Sequence, residues 1–183
     1  ARQHDLETEL FRHRISGFIA RQARGVRVTI HLGSKSYRLR RRTARNGHFG
    51  GILRLSAFEL RELQESGLVC DGWLKFEAVT RGRQDSAVTG FCQIIEPNGV
   101  SVISDIDDTI KHSGVGSRRE LLANTFLREF ESIPGMAQLY RTWEAQGANF
   151  HYVSSSPWQL YGPLSELCEN HRFPEGTYHL RTL

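Results

Sequence analysis

Lysine is scarce in this chain. Of 24 basic residues only Lys35, Lys75 and Lys111 are lysines, so the positive charge is carried almost wholly by arginine. Nowhere do about 20 apolar residues run together, which excludes a membrane-spanning helix. Nor does the charged opening "ARQHDLETELFRHR" have the apolar middle of a secretory leader. Cysteine is limited to Cys70, Cys92 and Cys168, far apart and without a CxxC pair, and the eight histidines are equally dispersed. That spacing excludes a zinc centre, and an odd, scattered set of thiols predicts a reducing, cytoplasmic setting, at most peripheral to a membrane. Trp73, Trp143 and Trp158 stand apart and read as core or rim positions rather than base-stacking platforms, so no nucleic-acid partner is expected.

What is present is enough for one ordinary domain or two small ones: 183 residues, 39% hydrophobic, with ten phenylalanines. Charge divides the chain. Residues 1–97 hold 17 Lys+Arg against 10 Asp+Glu, a surplus of seven positive; residues 98–183 hold 7 against 10, a surplus of three negative. Two units with different tasks are expected, 1–97 and 98–183. In the front half, Leu6, Leu10, Phe11 and Ile15 sit at helical spacing within 6–22. Residues 25–43 then alternate about Gly33-Ser34 as a hairpin would. "ARNGHFGGILRLS" (44–56) suggests an Asn-Gly turn and a further strand. Ser56 and Glu59 form a capping-box pattern for a helix ending at Gly67, and 72–81 and 86–97 read as two more strands. Several short strands with turns between them predict a helix followed by a small β-sandwich. "RLRRRTAR" (38–45) is either a solvated edge or a contact for anionic lipid headgroups.

In the rear half, "GVSVIS" (99–104), "NFHYVSSS" (149–156) and "TYHLR" (177–181) read as strands. Helices are expected between them over 117–130, 135–147 and 158–171, the last interrupted at Pro163. That alternation predicts a parallel α/β sheet. Ligands of such sheets bind beyond the carboxyl ends of the strands, and "SDIDDT" and "SSSP" occupy two such ends. Asp105 and Asp107, alternate residues as the first strand runs out, could face one crevice. Two carboxylates that close repel, and a Mg²⁺ ion held by them together with phosphate oxygens relieves the repulsion. One carboxylate could then serve as nucleophile and the other as acid and base.

"DIDDT" (105–109) resembles the DxDx[TV] signature of the haloacid dehalogenase superfamily, and "FHYVS" (150–154) resembles its second motif. More narrowly, "GVSVISDIDDTIKHSGV", "IPGMAQLY" and "FHYVSSSPWQLYGPL" resemble the actin-patch phosphatidate phosphatase family, which is related to the lipins. The resemblance runs from about Gly99 to Leu183. It implies a Rossmann-like sheet of haloacid dehalogenase type, behind the β-sandwich, and a Mg²⁺-dependent phosphatase acting on phosphatidate or another phosphomonoester. Asp105 would be nucleophile and Mg²⁺ ligand. Asp107 would be acid/base, with its carbonyl on the metal. Ser154 and Thr109 would lie at the phosphate, Thr109 also bracing the loop. Asp108 would be structural and Lys111 without a catalytic role. Such enzymes also use a downstream Lys or Arg and a further acidic pair, neither of which is recognisable after Ser156. The chain is therefore expected to be the front part of a catalytic domain, with self-association through an exposed sheet edge. The competing reading is a catalytically incomplete binding or scaffold module at anionic lipid surfaces.

Overall fold

The computed structural model describes residues 2–20, 22–80, 83–114, 116 and 118–183. The chain forms two compact units, residues 21–96 on one side and residues 1–20 with 97–183 on the other. The N-terminal helix α1 (Arg2–Ile19), grouped by sequence order with the front half, thus packs with the rear half.

In the 21–96 unit, β1 (Arg27–Leu32) and β2 (Lys35–Arg42) make the expected hairpin, with Gly33 in the left-handed region at φ 57°. β1 also pairs with β4 (Trp73–Thr80), which pairs in turn with β3 (Val69–Cys70) and β5 (Arg83–Gln93), all antiparallel. The described strands make one sheet, and this corrects the expected sandwich. Its inner face is closed not by a second sheet but by α2 (Ala57–Glu65) and the segment before it. Leu63 of α2 joins Leu32 and Leu74 in the core, with Leu53 and Leu55 packed against them. Residues 51–56, expected to be a strand, lend their side chains without joining the ladder. The start of α2 follows its sequence. Ser56 Oγ accepts from the Glu59 amide at 3.2 Å, and Glu59 Oε2 accepts from the Ser56 amide at 2.8 Å.

In the other unit, β6 (Ser101–Asp105), β7 (Asn149–Pro157) and β8 (Gly176–Arg181) form a parallel sheet in that order. Alternation puts Phe150, Tyr152 and Leu180 on one face. There they pack with Ile106 and Ile110, with Tyr140 of α4 (Met136–Glu144), and with Leu164 and Cys168 of α5 (Tyr161–Asn170). Burial pushes the Cys168 thiol up to about 11. A single 3-10 turn, Trp158–Leu160, leads into α5, so Pro163 falls in the first helical turn. Its missing N–H has no partner to lose there, and it interrupts nothing. α3 (Arg118–Phe126) lies between β6 and α4 in sequence. α1 turns Phe11 and Phe18 towards Phe126 of α3, with centroids 6.4 and 5.7 Å apart.

Candidate active site

The parallel register sets Asp105, the last residue of β6, beside Val153, so the remainder of β7, with Ser154 and Ser156, runs on next to the turn that leaves β6. Past Asp105 the chain turns sharply about Ile106, which is buried. The Ile106 carbonyl accepts from the amides of Ile110 and Lys111, both at 3.0 Å. Asp108 takes a left-handed conformation, φ 56°, which aspartate tolerates better than most residues. Its Oδ1 accepts from the Ser113 amide at 2.7 Å and the Gly114 amide at 3.0 Å. Asp108 thus ties the outgoing chain back on the turn and faces a structural task, as the sequence suggested.

Asp107 is gripped from both sides. Its Oδ1 accepts from Ser113 Oγ at 2.6 Å and lies 3.0 Å from Lys111 Nζ; its Oδ2 accepts from Ser154 Oγ at 2.8 Å and Ser156 Oγ at 3.3 Å. Burial alone would raise this carboxyl. The Ser113 hydrogen bond, the Lys111 charge and the Ser154 hydroxyl outweigh it and hold Asp107 below the ordinary carboxylate value. Asp105 behaves in the opposite way. Burial and the Asp107 charge raise it, and the Ile106 amide and the Thr109 hydroxyl, both bonded to its carboxyl, only partly offset them. One carboxylate is therefore clamped in its ionised form, and its exposed neighbour carries the repulsion.

Of the residues expected at the site, Asp105, Asp107, Thr109 and Ser154 are brought together. Lys111, Ser113 and Ser156 were not foreseen. Lys111 is 2% exposed, hydrogen-bonded to Ser113 Oγ, and lies with its Nζ 4.8 Å from the centre of the Phe130 ring. A buried ammonium beside a carboxylate is stable only when its protons are so placed, and removing either partner is costly. The available signal was its position four residues after Asp107, next to an isoleucine that the turn buries.

The donors facing the crevice are hard oxygens, which suit Mg²⁺ rather than a softer ion. Among the described residues no group of three or more His, Cys, Asp and Glu side chains could hold a metal. Mg²⁺ can be held by one or two carboxylates with water, and Asp105 is the exposed carboxylate of the pair.

Residues 100–183 match the family model described as phosphatidate phosphatase APP1, catalytic domain. The chain is also similar over 181 residues, at 32% identity, to the phosphatidate phosphatase APP1 of Saccharomyces cerevisiae, covering 96% of this chain and 30% of that protein. A second similarity, 37% identity over 84 residues, is to an uncharacterised protein of Schizosaccharomyces pombe, covering 44% of this chain and 14% of that one. The chain thus spans less than a third of either curated relative. The first similarity extends through the antiparallel sheet as well as the parallel one.

Proposed function

We propose that the unit built on β6, β7 and β8 carries the nucleophile of a Mg²⁺-dependent phosphomonoester hydrolase of haloacid dehalogenase type, acting on phosphatidate. The observation that carries the reading is the pair Asp105 and Asp107 at the end of β6, with Ser154 of β7 bonded to Asp107 at 2.8 Å. The similarity to the yeast phosphatidate phosphatase supports the substrate.

Of the pair, Asp105 is the nucleophile because it is the exposed member, Asp107 being held on both oxygens, while Asp108, also exposed, is bonded to the Ser113 and Gly114 amides. An Asp105 oxygen bonds to phosphorus, the bond from phosphorus to the glyceryl oxygen breaks, and Asp107 delivers a proton to that oxygen, releasing diacylglycerol. Water then attacks the aspartyl-phosphate, losing its proton to Asp107, so inorganic phosphate leaves and Asp105 is restored. Asp105 and the Asp107 carbonyl would hold Mg²⁺, which would supply the charge neutralisation needed as the carboxylate approaches the phosphate dianion. Asp107 must be protonated for the first step, yet its donors keep it ionised. Ser154 and Ser156 resolve the conflict by turning their hydroxyls from Asp107 Oδ2 to phosphate oxygens when substrate enters. Losing those hydrogen bonds raises the Asp107 carboxyl in the direction the first step needs, with Ser113 and Lys111 still on its other oxygen.

The intact gene product carrying these residues, incubated with phosphatidate vesicles and Mg²⁺, should release phosphate. Asp105→Asn should abolish release, and Asp107→Asn should lower it about 10²–10⁴-fold. Near-normal turnover in Asp105→Asn would end the covalent mechanism. Vesicle binding without any turnover in the parent protein would favour the scaffold reading instead.

A further inference from the structure

We infer that the N-terminal helix α1 is a working part of the catalytic unit, and that Arg14 is a remote positioning residue for Asp107. The whole antiparallel unit separates Arg14 from Asp107 in sequence. Yet the Arg14 side chain is only 4% exposed, and its Nη1 donates to the carbonyls of Thr125 at 2.8 Å, Arg128 at 2.5 Å and Asn124 at 3.4 Å. These carbonyls lie at and just beyond the C-terminus of α3, where an α-helix leaves its carbonyls without helical partners and favours positive charge. Burial lowers the guanidinium to about 10, against the pull of Glu129 and Glu166, so it stays charged at neutral pH.

From that anchor two routes lead to the carboxylate. Asn124 Nδ2, in the turn Arg14 pins, donates to the Ser113 carbonyl at 3.0 Å, and Ser113 Oγ donates to Asp107 Oδ1 at 2.6 Å. Phe130 forms the second route. The Arg14 guanidinium carbon stands 3.9 Å from its ring centre and Lys111 Nζ 4.8 Å, so one ring fixes both cations. Ser113 and Lys111 are the two groups on Asp107 Oδ1. Arg14 therefore sets the side of Asp107 that faces away from Ser154. Loosening it would let the carboxylate drift from the leaving-group oxygen without altering any residue that meets the phosphate. Displacements of about 1 Å can cost about 100-fold in rate.

The catalytic meaning of this device rests on the phosphatase reading; its geometry does not, and the test separates the two. Arg14→Ala and Arg14→Lys would be made in the intact gene product, with Lys35→Ala, at a surface ion pair in the other unit, as control. Lysine keeps the charge but cannot serve three carbonyls and a ring face together. Amide hydrogen exchange over residues 107–114 should quicken at least about tenfold in Arg14→Ala, less in Arg14→Lys, and not in Lys35→Ala. Turnover of p-nitrophenyl phosphate should fall about 10- to 100-fold in kcat, with KM within about threefold, because phosphate-facing groups are untouched. If Arg14→Ala does not fold, Arg14→Lys alone decides. Unchanged exchange over 107–114 in a folded Arg14 variant overturns the inference, as does a loss confined to KM. A parent protein without turnover, whose Arg14 variants still expose 107–114, sinks the phosphatase reading and leaves the positioning contact in place.

Discussion

Asp105 and Asp107 carry shifts of opposite sign, and their effects on stability should separate with pH. Asp107 binds its proton less readily in the folded chain than in the unfolded one. Its contribution is therefore present above the ordinary carboxylate value and is lost as pH falls through its lowered folded value. Asp105 binds its proton more readily when folded, so it costs stability as pH rises from the ordinary value through its raised folded value. In Mg²⁺-free buffer at neutral pH, Asp105→Asn should melt above the parent protein and Asp107→Asn below it. The Asp105 difference should shrink as pH falls from its raised value towards the ordinary carboxylate value, whereas the Asp107 difference should persist through that range and shrink only in stronger acid. Thermal melts of the two variants across that range check the signs, and an Asp105→Asn variant less stable than parent at pH 7 would show that the carboxylates do not repel. The carboxylates themselves were legible in the sequence, not from an Asp-rich turn alone, which is commonly just solvated, but because it follows an apolar strand, a second apolar strand ends in Ser154, and both stretches resemble one phosphatase family. Lys111 and Ser113 were not. Their importance comes from a turn about Ile106 that folds residues 111 and 113 back under residue 107, and no linear spacing displays that.

Elements whose signals are local came through from the sequence; those decided by distant packing did not. The α2 capping box depends on residues three apart, and the β1–β2 hairpin on a turn glycine, so both could be read directly. The segment 51–56 has the apolar content of a strand, but Leu53 and Leu55 act as a lid on the sheet, a choice made by the shape of the core. β3, two residues long, is too short for any periodicity to register. Gly90 shows how far a sheet position can depend on its cross-strand partner. It lies in β5 opposite Phe76, and a methyl group placed on it would stand 2.3 Å from the Phe76 ring. Neither a turn nor a positive φ requires this glycine; the ring lying over it does. Gly90→Ala should destabilise the antiparallel unit by about 1–3 kcal/mol through overpacking. Adding Phe76→Leu should relieve part of that penalty. Urea unfolding of the two single variants and the double would test this, and additive losses would mean that ring and glycine are not coupled.

Across the whole molecule, charge divides between the structural units as it does between the halves of the sequence, because α1 is neutral. Residues 21–96 hold 14 Lys+Arg against 7 Asp+Glu, and the other unit 10 against 13. Moving α1 from one unit to the other leaves the surpluses at seven positive and three negative. Arg38, Arg40, Arg41 and Arg42 are exposed on β2, a strand at one edge of the sheet. A phosphatidate-hydrolysing enzyme works at an anionic surface, where each basic residue within a Debye length contributes about 1 kcal/mol. Replacing Arg40, Arg41 and Arg42 by Gln should weaken sedimentation with anionic vesicles at low salt, and added salt should remove the difference. Equal sedimentation of the variant and the parent would reduce the arginines to a solvated face.

The opposite concern applies to the parallel sheet, where too little charge guards an edge. β6 is the outermost described strand, paired only with β7, and Ile103 on it is 76% exposed, with Val100 just before it at 65%. Parallel sheets are normally covered on both faces, and a flat apolar edge is a template for another strand. No helix among the described residues is long and apolar enough to cross a membrane, so bilayer insertion by such a helix does not account for that surface. Residues 1–183 alone should therefore self-associate within roughly the µM–mM range, in which exposed apolar surface and unpaired strand edges promote association. Ile103→Lys puts a charge on the edge strand, away from the inward-facing Val102 and Ser104, and should restore the monomer without unfolding the unit. Sedimentation velocity over that range distinguishes the outcomes. A parent chain as monomeric as Ile103→Lys would mean that the β6 edge is already protected by its own twist or by the loops beside it.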